Sequence, residues 1–386
     1  MSPERRSTNL AAGRCLVVKI GSALLVDEET GAVRRDWLEA LAADVAACRS
    51  RGQKILIVSS GAIAVGRRPL GFDDRTLKLE EKQAAAATGM IRLAHAYQEA
   101  LAAYDLTVAQ VLMTLDDSEN RRRYINARNT LTTLLDAGAV PLINENDTVA
   151  TDEIRFGDND RLGARVAEMV TADTLVLLSD IDGLYTGDPR RDAGARLVPE
   201  VREITPEIEA MAGHAPRGHG TGGMVTKLAA ARVALSAGCR MVIADGHPLH
   251  PLKRIEDGAP CTWFLPSASP TAARTRWIGG RLKPAGAIVV DPGAVNALVR
   301  GNSLLPAGVI AVEGNFGKGA AVIVKTAEGR ELGRGLCAYS AADVGKIKGH
   351  KTREIEPRLG YRGPDEIIHA DDLALARKRP GNDDER

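Results

Sequence analysis

The chain has 386 residues, 44% of them hydrophobic, which is enough for two or three domains with a sizeable core. Its 51 Lys+Arg against 50 Asp+Glu leave a net charge of +1, so the balance calls for neither nucleic acid nor an anionic membrane as partner. No apolar run approaches the roughly 20 residues that span a bilayer. The polar stretch Met1–Leu10 has no signal-type apolar core, and five scattered cysteines (Cys15, Cys48, Cys239, Cys261, Cys337) lack Cys-x-x-Cys spacing, so the expectation is a reduced, cytoplasmic protein.

The first two-thirds of the chain alternate strand and helix patterns. Cys15–Ile20 is an apolar run interrupted only by Lys19, and Trp37–Cys48 carries apolar residues at helical spacing. Ile55–Val58 is a second strand-like run, followed by the Ala-rich helical pattern Lys78–Tyr104, the strand Thr107–Leu112 and the helix Asn120–Leu135. Val140–Ile143 then gives way to a polar stretch, after which come helix Leu162–Val170, strand Thr174–Leu178, helix Thr226–Ala237 and strand Arg240–Ala244. Such alternation predicts an α/β fold with a doubly wound, mainly parallel sheet and ligands at the strand ends. We divide the chain into a first domain over 1–265, a linker over 266–284 around Pro266-Ser-Ala-Ser-Pro270, which is also compatible with a capped helix start, and a small, mostly β domain over 285–376. The last is read from the runs Ala287–Val290, Gly308–Val312, Ala320–Val324 and Gly335–Tyr339; the charged residues 377–386 are expected to be disordered.

The chemistry concentrates where the strand patterns end. After Ile143, the residues Asn144, Glu145, Asn146, Asp147, Asp158, Asn159 and Asp160 gather amides and carboxylates beyond an apolar strand. A solvated acidic loop is the bland reading; a ligand site is favoured because phosphate-type features flank the cluster. One is Lys19-Ile-Gly-Ser22: a lysine inside a buried strand is costly unless paired or pointed into a site, and Gly21 lets a backbone approach a phosphate closely. Ser59-Ser60-Gly61-Ala62 is a similar turn into a helix, weak by itself. Gly218-His-Gly-Thr-Gly-Gly-Met-Val-Thr-Lys227 opens a helix whose N–H groups can wrap a polyphosphate, with Lys227 as a point charge. Its Gly-x-Gly-x-x-Gly match follows a helical pattern, not a strand, so it is not read as a dinucleotide fingerprint. Ser179-Asp180-Ile-Asp-Gly183 ends another strand and suits either a nucleotide's ribose or base or a plain turn.

Taken together and in order, Lys19-Ile-Gly-Ser, Ser59-Ser-Gly-Ala-Ile-Ala, Ile143-Asn-Glu-Asn-Asp147, Gly157-Asp-Asn-Asp160, Ser179-Asp-Ile-Asp-Gly-Leu-Tyr and Thr221-Gly-Gly-Met-Val-Thr-Lys227 resemble the glutamate 5-kinases of the amino acid kinase family. The segment from about Ala285 to Ala376, with Gly301-Asn-Ser-Leu-Leu-Pro-Ala-Gly308, is similar to the PUA domain that bacterial members carry. The resemblance implies ATP plus L-glutamate giving γ-glutamyl phosphate and ADP, the first step of proline synthesis, with proline as feedback inhibitor and a homo-oligomer, dimer or tetramer. It also implies roles. Lys19 and Lys227 would neutralise the moving phosphoryl group, with Asp160 holding both ammonium groups. Ser60, Asn144, Asp147, Asp158 and Asn159 would bind glutamate. Lys19, Ser179, Asp180 and the run Thr221, Gly222, Gly223, Met224, Val225, Thr226 and Lys227 would bind ATP, with Mg²⁺ carried mainly by the phosphates.

This agrees with the chemistry, since a γ-carboxylate with a pKa of about 4.3 is already ionised at neutral pH and needs no general base. Two rivals stay open. An acetylglutamate, aspartate or carbamate kinase would belong to the same class, but an acetylated acceptor needs no anionic partner for an ammonium, and those families are not expected to carry the small second domain. An RNA-binding protein acting through its basic run Lys346-Ile-Lys-Gly-His-Lys-Thr-Arg353 would stack bases on aromatics, which are only 3% of this chain.

Overall fold

A computed structural model of the chain describes residues 8–72, 75–150, 158–213, 223–280 and 282–376. The chain divides into two compact units, Met1–Pro270 and Thr271–Arg386. In the first, strands β1 (Cys15–Ile20), β2 (Lys54–Ser59), β3 (Val108–Met113), β4 (Val140–Glu145), β5 (Thr174–Ser179), β6 (Glu200–Val201), β7 (Arg240–Asp245) and β8 (Cys261–Phe264) form one sheet in the order β3-β4-β2-β1-β5-β7-β8-β6. Neighbours run parallel except for the antiparallel pair β7–β8. The strands read as near-continuous apolar runs because helices cover both faces. Helices α1 (Arg35–Ser50) and α3 (Leu79–Ala102) bury Trp37, Leu41, Leu93 and Tyr97 against Val18, Ile20 and Ile57 on one face. Helices α4 (Arg121–Asp136), α5 (Asp158–Met169) and α6 (Met224–Ser236) bury Leu131, Leu162, Val166 and Leu228 against Val17, Leu56 and Val58 on the other.

This layering fixes where a ligand can sit. From β1 the chain moves to β2, β3 and β4 on one side, then crosses back to β5 on the far side of β1. The carboxyl ends of β1 and β5 therefore flank the point where the strand order reverses, the ordinary ligand crevice of an open α/β sheet. Next to it, the short helix Ala62–Arg67 leaves β2 and crosses α3 with the two backbones in contact. A Cβ on Gly66 would stand 1.8 Å from the Ala85 carbonyl oxygen, and one on Gly89 1.8 Å from that of Ala62. Only glycine allows that approach.

Two sequence expectations need correction in the first unit and its end. Helix α5 begins at Asp158 rather than near Leu162, which places Asp158, Asn159 and Asp160 on its first turn instead of in a loop. Carboxylates and amides favour that position electrostatically, whereas apolar periodicity starts only later. The sheet is mainly parallel as expected; only β8, between β7 and the edge strand β6, runs antiparallel to β7, and its four residues gave no pattern to find. Within the stretch 266–284 read as a linker, α7 (Pro270–Gly280) is a helix. Its Ile278 is fully buried with Ala321, Leu336 and Ala374, and its buried Arg274 pairs with Asp372.

The second unit holds a sheet of β9 (Ala287–Val290), β10 (Val309–Glu313), β11 (Ala321–Thr326), β12 (Glu331–Leu336) and β13 (Leu373–Leu375), ordered β10-β9-β11-β12-β13. Its core gathers Ile288, Val290, Val322, Val324, Cys337, Tyr339, Ile367 and Ile368. The run Gly335–Tyr339 is mostly past the strand it suggested. Pairing with β11 selects Glu331–Leu336, a half-exposed strand whose Glu331, Gly333, Arg334 and Gly335 show no apolar run. The residues 377–386 lie outside the described ones.

Candidate active site

Lys19 interrupts β1 on the face covered by α5. The absence of a side chain at Gly163 makes room there: a Cβ would lie 3.4 Å from Lys19 Cβ. Lys19 Nζ stands 2.6 Å from Asp160 Oδ1, and Lys227 Nζ donates to Oδ2 of the same carboxylate at 3.3 Å. Thr226 Oγ1 adds a donor to Oδ2 at 3.1 Å. All three charged groups are buried: Lys19 is 6% exposed, Asp160 0% and Lys227 3%. Burial by itself would raise the Asp160 carboxyl, but the two ammonium charges outweigh it and hold the group below the usual carboxylate range. Burial, reinforced by the charge of Lys19, pulls Lys227 below the ordinary lysine value against the opposing pull of Asp160. Two cations on one anion leave this set with one positive charge in excess, at the crevice. A buried excess of that kind is stable only opposite an anion.

The remaining predicted residues fall on either side of that triad. At the end of β5, Ser179 Oγ donates to Asp180 Oδ1 at 3.0 Å. Burial raises the Asp180 carboxyl, yet the Ser179 hydroxyl, its own backbone N–H and the charges of Lys227 and Arg190 bring it below the usual range, so it is ionised. Gly223 caps α6 without a side chain, and Met224, Val225 and Thr226 form the first turn; the Thr226 N–H donates to the Gly223 carbonyl at 3.0 Å, and no side-chain oxygen caps the turn. Thr221 and Gly222 lie outside the described residues.

On the other side, Gly61 turns the chain out of β2 at φ 100, a conformation that favours glycine, and sets Ser60 at the strand end. Asn159 Nδ2 donates to Ser60 Oγ at 2.8 Å and to the Ser59 carbonyl at 3.2 Å, while its buried Oδ1 has no hydrogen-bond partner among the described residues. Asp147, beyond β4, is 8% exposed, and among the described residues no hydrogen bond or ion pair engages its carboxylate. Burial accordingly pushes it up to about 6. Asn144 is buried and turned inward: its Oδ1 accepts from Glu145 N at 2.8 Å and its Nδ2 lies 3.6 Å from Met90 Sδ. The side chain of Asp158 is outside the described residues.

A model of the amino acid kinase family matches residues 14–245, which spans the first sheet from Arg14 to the end of β7. The chain belongs to the amino acid kinase family. A model of the PUA domain matches residues 286–359 of the second unit. The curated glutamate 5-kinase of Paramagnetospirillum magneticum is 66% identical over 95% of this chain and 99% of its own length. That of Rhodospirillum rubrum is 58% identical over 93% and 96%, and that of Gluconobacter oxydans 55% identical over 97% and 99%.

In this amino acid kinase, sequence reading missed the supports behind the acceptor-side residues. Gln83 Nε2 of α3 donates to the Ala150 carbonyl at 3.1 Å and so ties down the turn that carries Asp147. Tyr97, also on α3, reaches Ser59. Both sit in an ordinary amphipathic helical pattern, where nothing marks a polar residue that faces a site across the sheet. Among the described residues no helix is long and apolar enough to cross a membrane, and no group of three or more His, Cys, Asp or Glu could hold a metal ion.

Proposed function

We infer that this chain is a glutamate 5-kinase, which transfers the γ-phosphoryl group of ATP to the γ-carboxylate of L-glutamate and makes γ-glutamyl phosphate and ADP for proline biosynthesis. The single structural observation that carries the chemistry is the Lys19–Asp160–Lys227 set, whose excess positive charge lies buried at the sheet's crevice. Phosphoryl transfer between two anions needs in-line positioning and charge neutralisation more than proton transfer. In our reading Lys19 and Lys227 stand on either side of the moving phosphoryl group, and Asp160 keeps both side chains extended into the crevice. Ser179, Asp180 and the α6 N-terminus with Gly223, Met224, Val225 and Thr226 take the nucleotide, the ionised Asp180 suiting a ribose hydroxyl. Thr221 and Gly222 complete that set by sequence.

The acceptor assignment follows from unmet polar groups. Among the described residues, the Asp147 carboxylate has no partner and neither has the buried Oδ1 of Asn159. Two acceptors without donors call for a cationic donor, and the α-ammonium of an unacetylated amino acid is one. Ser60 and Asn159 hold the substrate from β2 and α5, with Asn144 and Asp158 assigned beside them. Mg²⁺ enters with ATP and neutralises charge on the β- and γ-phosphates when bound. The Asp160 carboxylate is already paired with both ammonium groups, so in this reading the phosphates would carry the ion. A cytoplasmic, homo-oligomeric enzyme under proline feedback completes the proposal.

The test is ADP release measured in parallel with L-glutamate, L-aspartate and N-acetylglutamate. Turnover with L-glutamate alone is expected. Comparable turnover with N-acetylglutamate would remove the reason for an unpaired carboxylate and overturn the acceptor assignment.

A further inference from the structure

The strand end that carries Ser60 is clamped from both layers of the fold. From one face, Asn159 of α5 donates to the Ser59 carbonyl at 3.2 Å and to Ser60 Oγ at 2.8 Å. From the opposite face, the hydroxyl of Tyr97 lies 3.2 Å from Ser59 Oγ, and Ser59 Oγ donates to the Ser60 carbonyl at 3.2 Å. Either hydroxyl can donate in the Tyr97–Ser59 pair, and whichever does, the two oxygens are held together. Tyr97 is 1% exposed and is the bulkiest fully buried side chain of this face's core. An aromatic hydroxyl placed that deep needs a partner, and it finds Ser59.

We propose that Tyr97 is a positioning residue of the acceptor subsite: through Ser59 it fixes the Ser59–Ser60 peptide from which Ser60 meets the substrate. The proposal rests on the acceptor reading given above. Three further contacts place the same helix behind that half of the site. Gln83 holds the Ala150 carbonyl, Met90 meets Asn144, and Gly89 lets α3 touch the helix that follows Gly61. Among the described residues the polar contact of Tyr97 is with Ser59, on the acceptor side, so its effect should be confined to glutamate. Burial raises the phenol well above its ordinary value, which keeps it neutral across the working pH range.

The experiment compares the wild-type chain with Tyr97→Phe, Ser59→Ala and the double variant in steady-state kinetics. Tyr97→Phe keeps the ring and its packing and removes one hydrogen bond. It should raise KM for glutamate about threefold to tenfold, with KM for ATP and kcat nearly unchanged. Ser59→Ala should do the same, and the double variant should be no worse than the worse single one, because both remove one chain of contacts. A merely structural tyrosine would lower the melting temperature without that split between substrates. Unchanged KM for glutamate, equal changes for both substrates, or additive effects of the two substitutions would overturn the proposal. If Tyr97→Phe does not fold, Ser59→Ala probes the same bond from the other side. A wild-type chain that fails to phosphorylate glutamate would instead defeat the acceptor reading itself, a separate result.

Discussion

Replacing Asp147 by Asn should make the substrate-free enzyme more stable and a poorer binder of glutamate at once. The Asp147 carboxyl is pushed from its ordinary 3.8 to about 6 by burial, with no partner to compensate. In the unfolded chain it titrates near the ordinary value, so the folded state binds the proton more tightly. Stability from this group is therefore greatest at low pH and is lost as pH rises through about 6. A shift of about two units corresponds to about 3 kcal/mol at neutral pH, taken as an upper figure. Asn keeps the shape and drops the charge. At pH 7.5 the variant should melt several degrees higher, since about 1 kcal/mol moves a domain of this size by about 2–4 °C. The gain should shrink below pH 6 and vanish near pH 4. KM for glutamate should rise by the loss of one charged partner, on the order of 2–4 kcal/mol, with KM for ATP little changed. Thermal unfolding at pH 7.5 and pH 5 without substrate, and kinetics at pH 7.5, make the comparison. An Asn variant that is less stable than wild type at pH 7.5, or a difference independent of pH, would refute the reasoning; a loss of ATP affinity instead would show that the subsites were reversed.

Other outcomes follow from the same geometry. Lys19→Ala and Lys227→Ala should each lower kcat by roughly 10²–10³ or more in a folded protein, the effect of losing one preorganised charge; near-normal turnover by Lys227→Ala would remove its assigned role. For wild type, kcat/KM for glutamate should fall as pH drops through about 6, because free Asp147 becomes protonated there; a flat profile from pH 5 to pH 8 would contradict this. Gly89→Ala should destabilise by about 1–3 kcal/mol, because the new Cβ meets a carbonyl oxygen at 1.8 Å and the helix after Ser60 must shift; a melting curve like the wild type's would count against the close crossing. A chain ending at Ser269 keeps the whole first unit but for its last residue, Pro270, together with every residue assigned to the site. It should unfold cooperatively and phosphorylate glutamate, and a folded truncation without turnover would make the second unit part of the catalytic machine.

Much of the fold was legible because buried parallel strands leave unbroken apolar runs, and Lys19 stood out by breaking one. The candidate site was legible as strand ends followed by glycine turns and Asx residues. What was not legible depends on pairing across the sheet. That Asp160 joins Lys19 to Lys227 was implied by the family resemblance alone, because residue types and spacing say nothing of 2.6 Å and 3.3 Å contacts between residues far apart in the chain. The contacts of Asn144 with Met90 and with Glu145 N are likewise invisible in a run of polar residues. Short or half-exposed strands such as β8 and β12 offer no apolar run, and their place is set by the neighbour they pair with. Helix α7 starts at a proline, which composition alone cannot tell from a linker proline.

In the proposed reaction the γ-carboxylate of glutamate is the group phosphorylated, its α-ammonium being held by Asp147. Running the reaction with hydroxylamine traps the acyl phosphate as a hydroxamate whose position records which carboxylate was attacked. The expected product is γ-glutamyl hydroxamate alone, one for each ADP released. The α-hydroxamate, or ADP release that yields only free phosphate, would contradict it.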